Sequence, residues 1–179
     1  MNPNRSRYMA AAENYLKLGG EIVAKVKYWE GDCFGVPLRN GGFALCVASR
    51  VSRSGMLVGY FFGPRRDEIP KHGGLTGLRA DNAVLLGAVS GLGIRDGRWP
   101  VLGRLSDWNR AEWSMPAFIR HEEITERYWR VFYSDSDPAA WLRDELIPTG
   151  KSKEGPEDGL MGSGFAEAVL TRLLDRSDD

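Results

Sequence analysis

The chain has 179 residues, 42% of them hydrophobic, enough for one domain with a core of its own. Lys and Arg number 24, as do Asp and Glu, so the net positive charge that accompanies nucleic-acid or membrane-surface binding is missing. The balance conceals a polarity: residues 1–120 carry 17 basic and 10 acidic side chains, residues 121–179 carry 7 and 14. Either the two parts neutralise each other across the fold, or the acidic end meets a basic partner.

In chain order, NRSRYMAAAENYLKL is rich in helix formers and ends at Gly19-Gly20, which predicts an N-terminal helix within residues 1–20. Glu13 interrupts its Ala run, so there is no apolar signal-peptide core. The longest uncharged run, Ala83–Ile94, falls short of the roughly 20 residues of a membrane span. A soluble, cytoplasmic protein with no membrane partner is expected.

A β-rich core is expected over residues 25–135. It begins with GDCFGVPLRNGGFALCVASRV, residues 31–51. Asn40-Gly41 is the preferred pair for a two-residue type I′ turn, because both central residues need positive φ. That turn would set Leu38 opposite Phe43, Val36 opposite Leu45 and Phe34 opposite Val47 on one apolar face. Cys33, Gly35 and Pro37 would share the other face with Ala44, Cys46 and Ala48, small residues that let the strands bend. GMLVGYFFG comes next as a third strand, with NAVLLGAV, WPVLGRL and RYWRVFY as further ones.

Residues 136–179 read as an acidic helical part. Asp137 is a plausible N-cap with Pro138 at the first helical position, and GFAEAVLTRLLDR repeats apolar residues at helical spacing. Between these helices, residues 148–164 read as a flexible linker by composition. The expected fold is α+β: a curved, mostly antiparallel sheet or partial barrel with an N-terminal helix and C-terminal helices.

Chemical motifs fail on inspection. The TGKS of Thr149–Ser152 lacks the glycine a phosphate loop requires, since Glu145 stands there. The glycine-rich GLGIRDG and GLMGSG lack dinucleotide spacing. His121, beside Glu122 and Glu123, has no nucleophile attached. Cys33 and Cys46 are too few for a disulfide framework, and with two distant His they make no zinc pattern. No enzyme activity, cofactor or metal site is expected. The cluster Arg65, Arg66, Lys71 and His72 after Tyr60-Phe61-Phe62 could meet single-stranded nucleic acid, but Asp67 and Glu68 interrupt its charge, so nucleic acid is the weaker expectation. Trp108 and Trp113, in the polar loop SDWNRAEWSM, read as an exposed pair.

The set Gly31, Asp32, Phe34, Pro37, Leu38, Gly41, Gly42 and Arg50, followed by Gly97, Trp99, Pro100 and Gly103, resembles the immunity protein 26 family of bacterial polymorphic toxin systems. The resemblance covers roughly residues 25–135. It implies a non-catalytic protein that binds and blocks a cognate toxin domain delivered by sibling cells, with the hairpin as scaffold. Gly31 and Asp32 would fix the start of the first strand, the carboxylate accepting backbone or Arg hydrogen bonds, with Arg50 one candidate partner. A small-barrel nucleic-acid-binding or endoribonuclease-like protein also begins with a G-D-x-x-x-x-x-L strand, but lacks the downstream Trp motif. If a toxin presents a basic groove, the acidic residues Glu122, Glu123, Glu126, Asp135 and Asp137 would face it, with Trp108 or Trp113 as a desolvated anchor. The oligomeric state stays open.

Overall fold

The computed structural model describes residues 15–18, 21–24, 27–70 and 75–175. The chain forms β1 (Tyr15–Leu18), β2 (Glu21–Ala24), β3 (Asp32–Pro37), β4 (Phe43–Val51), β5 (Met56–Arg66), β6 (Leu85–Ser90), the short helix α1 (Leu92–Arg95) and β7 (Val101–Arg104). It continues through β8 (Phe118–Glu122), β9 (Arg127–Tyr133), β10 (Trp141–Leu146), β11 (Leu160–Met161) and α2 (Ser163–Asp175). A six-stranded sheet has the order β11-β6-β5-β4-β3-β7, a three-stranded sheet β10-β9-β8, and β1 pairs with β2. Among the described residues the strand pairings are antiparallel except β11 with β6, and an isolated parallel bridge joins Ile119 to Glu157.

The fold is therefore mostly β, not α+β, and neither sheet closes into a barrel. Residues 1–14 of the expected N-terminal helix lie outside the described residues; Tyr15–Leu18 is a strand, with Leu18 opposite Glu21. Gly-Gly is as good a hairpin signal as a helix stop. Only one of the expected C-terminal helices forms. Asp137 does cap a turn, its Oδ1 accepting from the Ala139 N–H and its carbonyl from the Ala140 N–H, but the chain then extends into β10. Asp-Pro starts a single turn as readily as a helix, and the unpaired edge of β9 captures the segment beyond it.

The six-stranded sheet is buried on both faces. On one, Phe34, Val36, Leu38, Ala44, Cys46, Ala48, Leu57, Phe61 and Val89 pack against Ile94, Trp99 and the α2 residues Ala166, Leu170 and Leu174. Gly63 allows that helix to come close, since a Cβ there would stand 2.7 Å from Leu174. On the other face, Cys33, Leu45, Val47, Tyr60 and Phe62 meet Leu102, Leu105 and Trp113, while Val58 and Ala88 meet Phe118 and Val131 of the three-stranded sheet.

Two buried faces explain why the hairpin register differs from the expected one. Phe34 stands opposite Cys46, Gly35 opposite Leu45 and Val36 opposite Ala44, one residue away from the type I′ pairing. A one-residue shift exchanges the faces of a whole strand. With apolar side chains welcome on either face, hydrophobic pattern does not select the register, and contacts with α2 do. Arg39 donates its backbone N–H to Thr171 Oγ1 (3.0 Å) and a guanidinium N–H to the Gly164 carbonyl (3.0 Å), while Asn40 Nδ2 donates to Asp175 Oδ1 (2.5 Å). The loop lengthens to span Leu38 to Gly42, whose ends are joined by a Leu38 N–H to Gly42 carbonyl bond of 3.0 Å.

Gly41 still sits at φ +93°. Gly41→Val is expected to cost about 1–3 kcal/mol, because a β-branched residue is strained at positive φ. Chemical denaturation checks it, and an unshifted midpoint would show that the loop relaxes freely.

Candidate functional site

The residues of the G-D-x-F and W-P motifs all serve the scaffold. Gly31 (φ +87°) lies under the Trp108 ring, which a Cβ would approach to 2.7 Å. Its N–H donates to the Ala48 carbonyl and its carbonyl accepts from the Leu105 N–H, so it stitches β3 between β4 and the loop after β7. Asp32 Oδ2 accepts from the Trp29 N–H at 2.8 Å. Burial pushes its carboxyl up, against the lowering effects of that bond and of Arg104. Phe34 and Leu38 are core, and Pro37 ends β3. Trp99 is buried against Gly93 and edge-on to Phe61, with Pro100 over Gly35. Gly103 takes φ +119° where β3 and β7 shift register.

Arg50 pairs with Asp135, not Asp32. Its Nε and Nη2 donate to Asp135 Oδ1 at 2.8 and 2.6 Å, and its Nη1 to the carbonyls of Ser49 and Trp113 at 2.7 and 2.9 Å. Arg110 also holds Asp135 and reaches Glu30 Oε2 with its Nε at 2.7 Å. This clasp ties β4, the loop after β7 and the end of β9 together. Trp113 is buried in it, edge-on to Tyr60, and so presents no surface to a partner; Trp108, half-buried, stacks at a tilt on Trp113 with 5.6 Å between ring centres.

The expected acidic surface is split. Asp135 and Asp137 come after β9, at the Trp108 end, whereas Glu122, Glu123 and Glu126 lie at the β8–β9 turn, about 20 Å away at strand rise per residue. At that turn Glu122 pairs with Arg127 across the ladder, and the apex is Glu123-Ile124-Thr125-Glu126. Thr125 Oγ1 donates to Glu122 Oε2 (2.5 Å), and His121 Nε2 lies 3.1 Å from Glu126 Oε2 while its ring stacks on Tyr128. Glu126 adopts φ +54°. Ile124 projects from the apex at 97% exposure, and Glu123 makes no hydrogen bond or ion pair among the described residues. The tip is an apolar point ringed by carboxylates.

Other groups offer little chemistry. Tyr60, Phe61 and Phe62 are buried, so they provide no stacking platform beside Arg65 and Arg66; Lys71 and His72 lie outside the described residues. Burial pushes the Cys33 thiol up to about 12, and Cys46 well above its ordinary value, so neither is a thiolate near neutral pH.

A scan against protein-family models returns immunity protein 26, matched over residues 29–130. This chain belongs to the immunity protein 26 family. No curated protein and no solved structure matches it. The part matched to immunity protein 26 runs from Trp29 through β3 to β8 and into β9, and so contains the motif residues, Arg50, the Trp108 loop and the Ile124 tip. Outside it lie β1, β2, β10, β11 and α2. Sequence reasoning missed Arg110 and Glu30, for which no local pattern exists, and Ile124, whose signal was visible: an isolated apolar residue inside the charged run HEEITER.

Proposed function

We propose that this immunity protein neutralises a cognate toxin domain in the cytoplasm by binding it without catalysis, with the β8–β9 tip inserted into a basic groove of the toxin. The observation that carries this reading is Ile124, an apolar side chain that folding leaves wholly in water at the apex of a hydrogen-bonded hairpin. Burying a side chain of that size on binding contributes about 1.5–3 kcal/mol. A tip already held by internal bonds loses little entropy on docking. Glu122, Glu123 and Glu126 supply complementary potential, which acts chiefly on association rate.

Co-expression with the toxin encoded beside it should rescue growth. Glu122→Lys with Glu123→Lys should slow association about tenfold at low salt and flatten its salt dependence. Ile124→Ala should instead speed dissociation, by about tenfold. Thermal stability should hold in both, since these side chains are exposed. Association insensitive to salt and to both variants would remove the tip from the interface and direct attention to the Trp108 end.

A further inference from the structure

We propose that two copies of this chain pair through β10, joining their three-stranded sheets into one continuous sheet across a two-fold axis. The inference rests on strand geometry and is independent of the toxin-binding surface. β10 is the outer strand of the order β10-β9-β8. The opposite edge of that sheet is partly covered, because Ile119 of β8 donates its N–H to the Pro156 carbonyl and accepts from the Asp158 N–H, both at 2.8 Å. The edges of the larger sheet are only four residues (β7) and two residues (β11) long. Among the described residues β10 thus offers an unpaired edge, regular from Arg143 to Leu146 with a register shift between Trp141 and Arg143, on which Trp141, Leu142 and Leu146 remain 58%, 53% and 49% exposed. An open strand with apolar side chains is a template for another strand.

The register of β10 on β9 says which of its backbone groups are free. Ile147 donates its N–H to the Tyr128 carbonyl, in line with the pairs Glu145↔Arg130 and Arg143↔Phe132. In an antiparallel ladder alternate residues bond inward, so Asp144 and Leu146 turn their N–H and carbonyl groups to the open edge. A two-fold axis perpendicular to the sheet must pass through a residue facing its own copy, because opposed side chains share a face. Centring on Arg143 sets guanidinium against guanidinium, and centring on Glu145 sets carboxylate against carboxylate. Centring on Asp144 uses the outward amides and sets Arg143 opposite Glu145 twice, with Leu142, where the ladder to β9 shifts register, brought toward Leu146. The two Asp144 side chains that then meet are already engaged, Oδ2 by Arg120 and Oδ1 by the Trp141 Nε1–H at 2.6 Å. Within each strand Arg143 Nε already donates to Glu145 Oε1 at 2.9 Å, so of the three charged centres only Asp144 joins two such ion pairs into one alternating four-charge cluster, and a second copy of the chain is the occupant that fits it.

The test is sedimentation velocity on the full chain over a concentration series, with circular dichroism as a check on folding. The wild type should move from monomer to dimer. Arg143→Glu alone and Glu145→Arg alone should each raise the dimer dissociation constant about tenfold or more, since each makes two like-charge contacts. Each also breaks the Arg143–Glu145 ion pair within its own strand, but both side chains are at least half exposed, so the fold should hold. The double exchange Arg143→Glu with Glu145→Arg should restore dimerisation. An equimolar mixture of the two single variants should restore it too, because each then faces its opposite charge. A wild type that stays monomeric to its solubility limit overturns the proposal. So does a dimer indifferent to the single reversals, or one that neither the double exchange nor the mixture restores.

Discussion

Trp99→Ala is expected to destabilise the protein by about 3–5 kcal/mol, the range for deleting a buried indole. Trp99 is wholly buried and fills the space between the six-stranded sheet, α1 and α2. Its ring lies against Gly93, where a Cβ would come within 2.9 Å, and edge-on to Phe61 with ring centres 6.2 Å apart. Its Nε1–H donates to Glu167 Oε1 at 2.8 Å, an oxygen shared with Arg98 Nη1 at the same distance. Removing the ring leaves a cavity under α2 and takes one donor from Glu167. Trp99→Phe retains most of the packing and loses the hydrogen bond, so it should cost less, about 1–3 kcal/mol. Urea denaturation of both variants separates the contributions. Equal losses in the two would mean that the indole N–H, not ring volume, holds α2 in place.

Arg50→Met is expected to cost about 2–4 kcal/mol, and the reason is not chiefly the ion pair. Arg50 is 3% exposed but Asp135 is 53% exposed, so solvent screens their attraction and the pair contributes at most about 1 kcal/mol. Methionine fills comparable space, yet leaves the carbonyls of Ser49 and Trp113 without the Nη1 donor, and each orphaned buried acceptor costs about 1–3 kcal/mol. The change should also alter the pH profile. Burial alone would raise the Asp135 carboxyl; hydrogen bonds from Arg110 and Arg50 outweigh it and hold the group below the usual carboxylate range. A carboxylate depressed by folding stabilises above its unfolded pKa, near about 4, and that contribution disappears as pH falls through the folded value. Wild-type stability should therefore decline below about pH 4, and Arg50→Met should flatten that limb because only Arg110 then depresses Asp135. A variant with the wild-type midpoint and acid limb would show that the clasp adds nothing to stability.

Neighbouring residues alone specified several parts of this protein. The apolar runs of β5, β6, β7 and β9 are recognisable because strand formation there agrees with local propensity, and α2 is recognisable because its apolar residues recur at helical spacing over thirteen residues. The motif from Gly31 to Arg50 with Trp99 and Gly103 carried the family, since those positions are demanded by backbone angle, close approach or burial that hardly another residue can meet. Tertiary structure decided the rest. The Asn40-Gly41 turn was overruled by α2, 125 to 135 positions away, through bonds that local sequence does not encode. Asp137-Pro138 began a turn and not a helix because the free edge of β9 was available to pair. Trp113 was drawn inside by Tyr60 and Phe62, despite its polar neighbours. The acidic residues parted because β9 carries the chain from one end of the sheet to the other between Glu126 and Asp135. Charge along a sequence is a sum over neighbours in the chain, whereas the field a partner meets depends on where strands place those charges in space.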